Sequence, residues 1–520
     1  MTRPIRAVTI VGGGTAGWMA AAALARQLPK TIEIVLVESD AIGTIGVGEA
    51  TIPAIRRFNQ ILGIDEADFL KATGGTFKLG IEFVDWGALG QNYFHAFGNI
   101  GGRPEMRPTH QYWLRLKSLG APVPDLDALS LAATAARADR FAHPRDGRTA
   151  SRAPDLAYAY HFDATLYARY LRVMAERAGV TRVEGRIATV ELAPESGDIA
   201  RLRLDDEREL GGDLFVDCSG MRALLLGDAL GEPYEEWTQY LICDRAAAVP
   251  CANGPTLYDY TRAKACAAGW QWRIPLQHRF GNGHIYASAL IGDDAAAASL
   301  LAELEGEPLD APRFISFTPG KRRRTWVRNC VGLGLASGFI EPLESTSIHL
   351  IHMGIRRLLS LFPARGITVP LVTAYNKQSD RELRAIRDFI IAHYKVTTRE
   401  DTPFWQYVRN MAIPDTLQER LELFASGGLF FWDQDECFTE WSWVQVLIGQ
   451  GLPIDGHDFL AEEASPQWTL GYLDALAAYH RDATAAMHEH REFIGTYCEA
   501  PNDMAGGKRP APVAIARRSM

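Results

Sequence analysis

The chain has 520 residues, 47% of them hydrophobic and 22% charged, and its formal net charge is −9. This length allows a large core or roughly two to four fused units. The negative net charge disfavours nucleic-acid binding, because nucleic-acid-binding domains are usually basic. No run approaches the roughly 18 apolar residues of a membrane span and no signal peptide is recognised, so we expect a cytoplasmic protein without a membrane partner.

The first predicted elements form a dinucleotide-binding unit. Residues 5–11, IRAVTIV, indicate a buried parallel strand, which is followed by the turn GGGTAG and the helix WMAAAALARQL. A second strand, IEIVLVES, ends at Glu38. This order of strand, glycine turn, helix, strand and acid is the context in which a GxGxxG motif is informative.

Each residue of this unit has a separate task in binding a cofactor. Gly12 makes the tight turn, Gly14 lets the backbone approach a pyrophosphate, and Gly17 lets helix and strand pack closely. The helix N-terminus offers free N–H groups and a positive dipole end to the phosphates. Glu38 can accept hydrogen bonds from a ribose diol. The alternative is a glycine-rich turn without a ligand.

Strands and helices alternate through the middle of the chain. Residues 163–178 predict an amphipathic helix, and residues 180–220 are rich in strands. Residues 329–362 predict a strand, a loop and a helix that Ser345 or Thr346 can cap.

We predict an α/β fold in four parts. A discontinuous α/β module comprises 1–235 and 311–365, a β-rich region is inserted at 236–310, a helical cap follows at 366–500, and 501–520 form a loose tail.

Two features of the composition have simple interpretations. The basic run Lys321–Arg324 is interpreted as a solvated loop before a strand, and the alternative is a basic edge near a phosphate-bearing cofactor. The seven cysteines form no CxxC pair and no zinc spacing. We therefore predict mostly buried, reduced cysteines and no metal site.

Six motifs occur in an informative order between residues 5 and 365: GGGTAGWMAA, IGVGEATIP, TFKLGIEF, LFVDCSG, WQWRIP and GFIEPLEST. In this order they resemble the flavin-dependent tryptophan halogenase family. The resemblance implies FAD, reduced by a separate flavin reductase, which with oxygen and chloride or bromide yields hypohalous acid. This electrophile travels to an electron-rich aromatic substrate held elsewhere. The α/β module would then be a Rossmann-like FAD-binding module of the flavin monooxygenase type, and the inserted β-rich region a substrate layer.

The resemblance also implies a wider set of binding residues. Further contacts with FAD are predicted at Thr15, Ala16, Ala41, Gly46, Glu49, Ala50, Ile187, Leu335 and Ile348. Thr346 and Ser347 would bind the halide through backbone N–H groups at a helix start. The family usually has glycine at the position of Ser347, which puts chloride use in doubt and makes the larger bromide worth testing.

Two catalytic residues follow from the resemblance. Lys78 matches a lysine that carries or hydrogen-bonds the active halogen, and burial would lower its pKa and favour the neutral amine. Glu344 matches a carboxylate that positions the oxidant or removes the ring proton, with Glu341 as the alternative. From the pattern alone, a surface lysine on an alternating strand is the better interpretation of Lys78, and Glu344 also fits a carboxylate that interacts with a helix dipole.

The paired tryptophans of WQWRIP predict a wall. Trp270 and Trp272 share one face if this stretch is a strand, and large core aromatics are the default interpretation. In the family, the matching tryptophans line the passage between flavin and substrate. The resemblance therefore implies a separator that passes a small halogen species and keeps the aromatic substrate away from the flavin.

The predicted substrate is an indole other than free tryptophan. His95 and Phe97 match residues that sandwich the indole in tryptophan-using members, although an ordinary aromatic core patch is the alternative. The tyrosine pair that helps to clamp the amino acid in those members is absent, because the equivalent stretch carries Phe430 and Phe431. The competing functions are a flavin monooxygenase that hydroxylates an aromatic substrate and a non-catalytic flavin-binding module. Either a monomer or a homodimer is compatible with the pattern.

Overall fold

A computed structural model describes residues 4–41, 48–144, 156–433 and 436–501. Within these ranges no helix combines the length and the apolar character needed to cross a membrane. The strands are β1 (Ala7–Val11), β2 (Glu33–Glu38), β3 (Gly48–Ala50), β4 (Thr76–Lys78), β5 (Gly80–Val84), β6 (Asn92–Ala96), β7 (Arg140–Phe141), β8 (Ala159–Asp163), β9 (Thr181–Glu184), β10 (Ile187–Leu192), β11 (Ile199–Leu204), β12 (Glu209–Leu210), β13 (Leu214–Asp217), β14 (Tyr234–Glu236), β15 (Arg245–Cys251), β16 (Thr261–Cys266), β17 (Gly269–Pro275), β18 (Phe280–Tyr286), β19 (Arg313–Ser316), β20 (Gly320–Arg322), β21 (Trp326–Val327), β22 (Cys330–Gly332), β23 (Gly338–Phe339) and β24 (His488–Glu489).

The α-helices are α1 (Thr15–Gln27), α2 (Ala54–Leu62), α3 (Glu66–Thr73), α4 (Thr109–Ser118), α5 (Leu131–Arg137), α6 (Ala164–Arg177), α7 (Asp293–Ala302), α8 (Ser347–Ser360), α9 (Val369–Lys395), α10 (Pro403–Asn410), α11 (Asp415–Ala425), α12 (Glu440–Gly449), α13 (Pro466–Ala485) and α14 (His490–Tyr497). The predicted helix at 163–178 is confirmed as α6, which begins after Asp163, whose side chain caps it. The largely helical region after residue 366 is confirmed by α9 to α14.

A six-stranded sheet carries the dinucleotide-binding unit. Its order is β21-β22-β13-β1-β2-β9, and all neighbours are parallel except β21 and β22. The alanine-rich helix α1 is buried along most of its length and packs against α6 and α8. The predicted strand–turn–helix–strand unit and the α/β fold class are thereby confirmed.

A seven-stranded sheet, β19-β15-β18-β17-β16-β5-β6, holds the two tryptophans on β17. Four of its strands, β15 to β18, come from the predicted insertion, whereas β5, β6 and β19 come from outside it. The sheet therefore joins distant segments of the chain, and the predicted domain boundaries stay a prediction.

The β-rich stretch between residues 180 and 220 is shared between two sheets. β9 and β13 join the six-stranded sheet, while β10, β11 and β12 form a separate antiparallel sheet. Lys78 ends β4, which pairs with β8 in a third, three-stranded sheet. Residues 502–520 of the predicted tail lie outside the described residues.

The basic run is only partly a solvated loop, because Arg323 and Arg324 are exposed after β20 whereas its first two residues belong to that strand. Lys321 lies on β20, is 2% exposed, and forms an ion pair with Asp380 at 2.9 Å. Arg324 pairs with Glu232, which is also buried. Acidic partners from distant segments explain this outcome, because the partly exposed Asp380 and the buried Glu232 neutralise charges that the local sequence presents as solvated.

Candidate active site

A cavity of about 940 Å³ extends from the glycine turn to the β17 strand. Among the residues lining it are thirteen of the predicted site residues: Gly12, Gly14, Thr15, Ala16, Glu38, Glu49, Ala50, Ile187, Trp270, Trp272, Leu335, Ser347 and Ile348. Ala41 is exposed beside Asp40 at the cavity edge, and Gly46 lies outside the described residues. The cavity therefore brings most of the predicted cofactor residues together.

The glycine turn has the geometry that a pyrophosphate requires. Gly12 has a φ of +107°, a conformation that L side chains rarely adopt. A Cβ at Gly14 would meet no atom within 4 Å, so the backbone there is open to a ligand. A Cβ at Gly17 would lie 1.8 Å from the carbonyl oxygen of Gly12, which shows that this glycine serves packing. These features fit the diphosphate of a dinucleotide such as FAD.

Glu38 lies next to the turn, as predicted, but its carboxylate already has cationic partners. It accepts a hydrogen bond from Arg182 Nε at 2.6 Å and lies 3.6 Å from Arg172 Nη1. A Cβ at Gly13 would collide with this carboxylate. A ribose diol at this position would therefore share Glu38 with Arg182.

The two tryptophans form one wall of the cavity. Their ring centroids are 6.0 Å apart at an interplanar angle of 56°. Trp270 Nε1 donates a hydrogen bond to Glu341 at 2.9 Å. Trp272 faces Gly283 on β18, where an added Cβ would lie 2.0 Å from the indole. The missing side chain at Gly283 thus makes room for the Trp272 ring.

Lys78 is completely buried rather than on the surface. Its Nζ donates a hydrogen bond to Ser345 Oγ at 2.8 Å and lies 5.3 Å from the centre of the Phe97 ring. Burial lowers the pKa of Lys78 from its ordinary 10.5 to about 7, against the opposing effect of the negative charge on Glu344. Near neutral pH the amine and ammonium forms are therefore both accessible.

Glu344 lies between two histidines in a turn that precedes α8. His95 Nδ1 is 2.9 and 2.8 Å from its two carboxylate oxygens, and His393 Nε2 is 2.8 Å from Oε1. Burial alone would raise the pKa of Glu344, but the electrostatic interaction with His95 and the hydrogen bonds from both histidines lower it to about 2. Glu344 is therefore an ionised carboxylate at neutral pH.

Glu341, the alternative to Glu344, faces the tryptophan wall. Its Oε2 accepts hydrogen bonds from Trp270 Nε1 at 2.9 Å and from the Tyr394 hydroxyl at 2.5 Å. Burial raises its pKa to about 7. Lys78 instead contacts Ser345, the residue after Glu344, and the negative charge that raises its pKa is that of Glu344. These observations favour Glu344 over Glu341 as the partner of the lysine.

The predicted halide segment leads into α8. Ser345 has a φ of +59°, and Thr346 precedes the first helical residue, Ser347. The predicted side-chain cap is wrong, because Thr346 makes no capping hydrogen bond and Ser345 accepts from Lys78 instead. Leu350 N donates to Thr346 O, which leaves the N–H groups of residues 347–349 without intrahelical acceptors. Ser347 lines the cavity and Thr346 is buried behind it.

The β6 segment brings the predicted substrate residues to the same place. Phe97 N donates to Leu79 O at 2.8 Å, next to Lys78, and His95 contacts Glu344 directly. The His95 ring also lies 5.7 Å from the ring of Phe389. His95 therefore belongs to a hydrogen-bonded cluster as well as to an aromatic patch.

The stretch that the sequence analysis predicts to be equivalent to the tyrosine pair presents phenyl rings without hydroxyl groups. Phe430 packs 5.7 Å from the ring of Trp443 and lies under the guanidinium of Arg420. Phe431 is 84% exposed. The following residues, 434 and 435, lie outside the described residues.

Two members of the site were missed by the sequence analysis. Ser345 was considered only as a helix cap, although it lies inside the motif that contains Glu344. His393 lies near the end of α9 and carries no local sequence signal. In the described part of the chain, no group of three or more His, Cys, Asp or Glu side chains could hold a metal ion.

Known proteins share this architecture over nearly its whole length. The family described as "Tryptophan halogenase" matches residues 7–466. A flavin-dependent halogenase from Xanthomonas campestris superposes with a TM-score of 0.93 at 46% identity, covering 96% of this chain and 99% of that chain. BrvH, a flavin-dependent halogenase from Brevundimonas sp. BAL3, gives a TM-score of 0.91 at 44% identity, with the same coverage of 96% and 99%.

A sequence relative agrees with these structures. Tryptophan 6-halogenase ThaL of Streptomyces albogriseolus is 36% identical over 452 residues, which are 82% of this chain and 83% of ThaL. The predicted class of flavin-dependent halogenase is thereby confirmed, and hydroxylation is not favoured. The chain belongs to the tryptophan halogenase family of flavin-dependent oxidoreductases.

Proposed function

We propose that this protein halogenates an indole-type aromatic substrate, with Lys78 and Glu344 as its catalytic residues. The observation that carries the proposal is a buried lysine beside an ionised, buried carboxylate, behind a cavity with a dinucleotide-binding turn. A cytoplasmic location and a monomeric or homodimeric state stay predictions from the sequence.

The cavity residues fit FAD, and each acts on a different part of it. The turn at Gly12 and Gly14 and the N-terminus of α1 would hold the pyrophosphate, and Glu38 the ribose. When bound in its reduced form, supplied by a separate flavin reductase, FAD contributes the electrons with which oxygen and halide become hypohalous acid. The N–H groups at the start of α8 would hold the halide near the cavity.

Lys78 can act in either of its protonation states. The ammonium form donates hydrogen bonds and polarises a hypohalous acid molecule. The neutral amine can instead form a nitrogen–halogen bond as the halogen–oxygen bond breaks, and one amine proton leaves with the hydroxide as water. A pKa of about 7 keeps both forms accessible at neutral pH. Ser345 orients the nitrogen through its hydroxyl oxygen.

Glu344 can complete the substitution. The aromatic ring attacks the halogen, and a carbon–halogen bond forms at one ring carbon as the bond from the halogen to oxygen, or to the Lys78 nitrogen, breaks. The electrons of the broken bond leave with the hydroxide, which becomes water with a proton from the Lys78 ammonium, or with the amine. The hydrogen on that carbon leaves as a proton to the Glu344 carboxylate, and its bonding electrons restore the aromatic ring. The positively charged ring intermediate is a very strong acid, so a carboxylate with a low pKa can remove its proton.

We further propose that the substrate is indole, an indole derivative or a larger indole-bearing molecule. His95 and Phe97 lie beside the two catalytic residues and can pack against the aromatic ring. Phe430 and Phe431 provide no hydroxyl groups with which to bind an amino acid's charged ends. A site that leaves those charges without partners binds free tryptophan poorly.

The test is a bromination screen with reduced FAD, oxygen and bromide over indole, tryptophan and larger indoles. We expect products with the mass of added bromine, formed faster from indole or a larger indole than from free tryptophan. A product whose mass shows added oxygen would indicate a monooxygenase. If no product depended on the enzyme, the protein would be a non-catalytic flavin-binding module. A preference for free tryptophan would contradict the proposed substrate class.

Trp272→Leu is expected to change the products rather than the stability alone. Removing the indole opens the wall that separates the flavin from the substrate. We therefore expect less halogenated product per reduced FAD consumed, together with oxidised side products. Product yield per FADH2, resolved by mass spectrometry, measures this. The matched control is Trp405→Leu, which removes a buried indole that does not line the cavity. Equal product spectra in both variants would mean that Trp272 is structural.

Ser347→Gly is expected to favour chloride. Glycine removes a side chain from the cavity lining at the helix start, where N–H groups can bind the smaller ion closely. We expect the ratio of chlorinated to brominated product to rise about tenfold, which corresponds to about 1.4 kcal/mol. Ser360→Gly, at the opposite end of α8, is the control and should leave the ratio unchanged.

A further inference from the structure

His393 faces two hydrogen-bond acceptors inside the protein. Its Nδ1 is 2.8 Å from the carbonyl oxygen of Phe389, one helical turn earlier on α9, and its Nε2 is 2.8 Å from Glu344 Oε1. The side chain is fully buried. No water molecule is needed to complete either contact, because both are direct.

A neutral imidazole cannot satisfy this arrangement. It has one N–H group and one lone pair, and a carbonyl oxygen and a carboxylate can only accept. Moving the single proton of a neutral ring from one nitrogen to the other changes nothing, since both partners remain acceptors. Two protons must therefore lie between the ring and its partners, so either His393 is an imidazolium or Glu344 is a carboxylic acid.

The groups around Glu344 favour the imidazolium. His95 Nδ1 lies within hydrogen-bond distance of both carboxylate oxygens, and Lys78 is electrostatically coupled to the same carboxylate. The nearby Tyr93 stays neutral, because burial and then the charge of Glu344 raise its pKa well above the ordinary value. The low pKa of Glu344 agrees with a carboxylate rather than an acid.

A second buried histidine near Lys78 shows the contrast. His161 lies 3.0 Å from Thr76 Oγ1 and 2.9 Å from Thr261 Oγ1. Thr76 donates its own proton to Pro275 O, so it accepts from His161, and Thr261 can donate to the other ring nitrogen. One N–H group is enough there, and burial lowers the pKa of His161 well below the ordinary value.

We propose that His393 is a positioning residue of the halogenation reaction: an imidazolium that fixes the Glu344 carboxylate in one orientation and keeps it ionised. This inference rests on the proposed role of Glu344 as proton acceptor. Without the positive charge of His393, Glu344 loses one of the interactions that oppose burial, so its pKa rises and the carboxyl group binds a proton more readily. A protonated Glu344 cannot take the proton from the halogenated ring.

The first test is the pH dependence of His393→Gln, whose amide can still donate to Glu344 but carries no charge. We expect kcat for bromination to fall at least tenfold at pH 6.5 relative to wild type, with the variant-to-wild-type ratio recovering toward pH 9 and KM little changed. Part of this change reaches the reaction through Lys78, because the charge of Glu344 raises the pKa of Lys78 and the loss of that charge lowers it. A ratio that is the same at every pH would overturn the proposal.

The control is His480→Gln, which replaces a buried histidine whose Nδ1 likewise contacts a carbonyl oxygen, that of Ala128. This residue lies on α13 and touches neither Lys78 nor Glu344. We expect its activity ratio to be independent of pH. FAD binding and circular dichroism verify the fold of both variants.

The second test observes the proton directly in protein labelled with [15N]histidine. The signal missing in His393→Gln identifies His393, and we expect two protonated nitrogens in the wild-type ring at neutral pH. If this variant does not fold, the shift of the same signal in Glu344→Gln identifies it. A neutral-imidazole pattern would overturn the proposal. This measurement needs no turnover, so it decides the charge of His393 even if the protein fails the bromination screen.

Discussion

Lys78→Ala is expected to reduce halogenation by at least about a hundredfold, the scale of a lost catalytic proton donor or acceptor, while FAD binding is retained. The variant removes the only group that we assign to holding the active halogen. Lys78 does not line the cofactor cavity, so the cavity should remain intact. Bromination of indole and titration with FAD measure the two effects separately.

Two further variants separate catalysis from folding. Lys78→Met keeps the side-chain volume and should be equally inactive. Lys321→Met removes another buried lysine, which lies outside the cavity, and should keep bromination activity. Substantial halogenation by either Lys78 variant would contradict the assignment.

The stability of Lys78→Met gives an independent check on burial. Because the pKa of Lys78 falls from 10.5 to about 7 on folding, the unfolded chain binds more protons at this residue between these pH values. Its contribution to the free energy of unfolding therefore rises with pH across this window and is least favourable below pH 7. Lys78→Met removes this penalty, so we expect it to be more stable than wild type in urea at pH 7.

Glu344→Gln is expected to lower kcat by about 10²–10⁴-fold, the usual range for a lost general base. The amide has the shape of the carboxylate but cannot accept the proton of the halogenated ring. FAD binding should be unchanged, because Glu344 does not line the cavity. Single-turnover bromination of indole measures the step directly.

The control for this variant is Glu232→Gln, another buried glutamate, which pairs with Arg324 outside the site. It should brominate indole at the wild-type rate. An unchanged rate in Glu344→Gln would transfer the role to Glu341, and Glu341→Gln would then be the inactive variant.

Local sequence patterns determined the path of the backbone at the cofactor end of the molecule. GGGTAG between a strand and a helix leaves few other conformations, since Gly12 needs a positive φ and Gly17 a close approach. The spacing of Trp270 and Trp272 similarly placed both rings on one face of a strand. The roles of Lys78 and Glu344 came from the resemblance, because the pattern alone favoured a surface lysine at residue 78.

Only the tertiary structure decided the electrostatics of the site. The contact between Lys78 and Ser345 joins residues 267 positions apart, and that between His95 and Glu344 joins residues 249 positions apart. His393 reaches Glu344 from the far end of α9, and Asp380 neutralises Lys321 inside a strand. Burial and neighbouring charges set protonation states, and both depend on how distant segments pack. The sequence alone therefore determined the binding turn and the order of the elements, whereas packing determined which side chains are charged and what they contact.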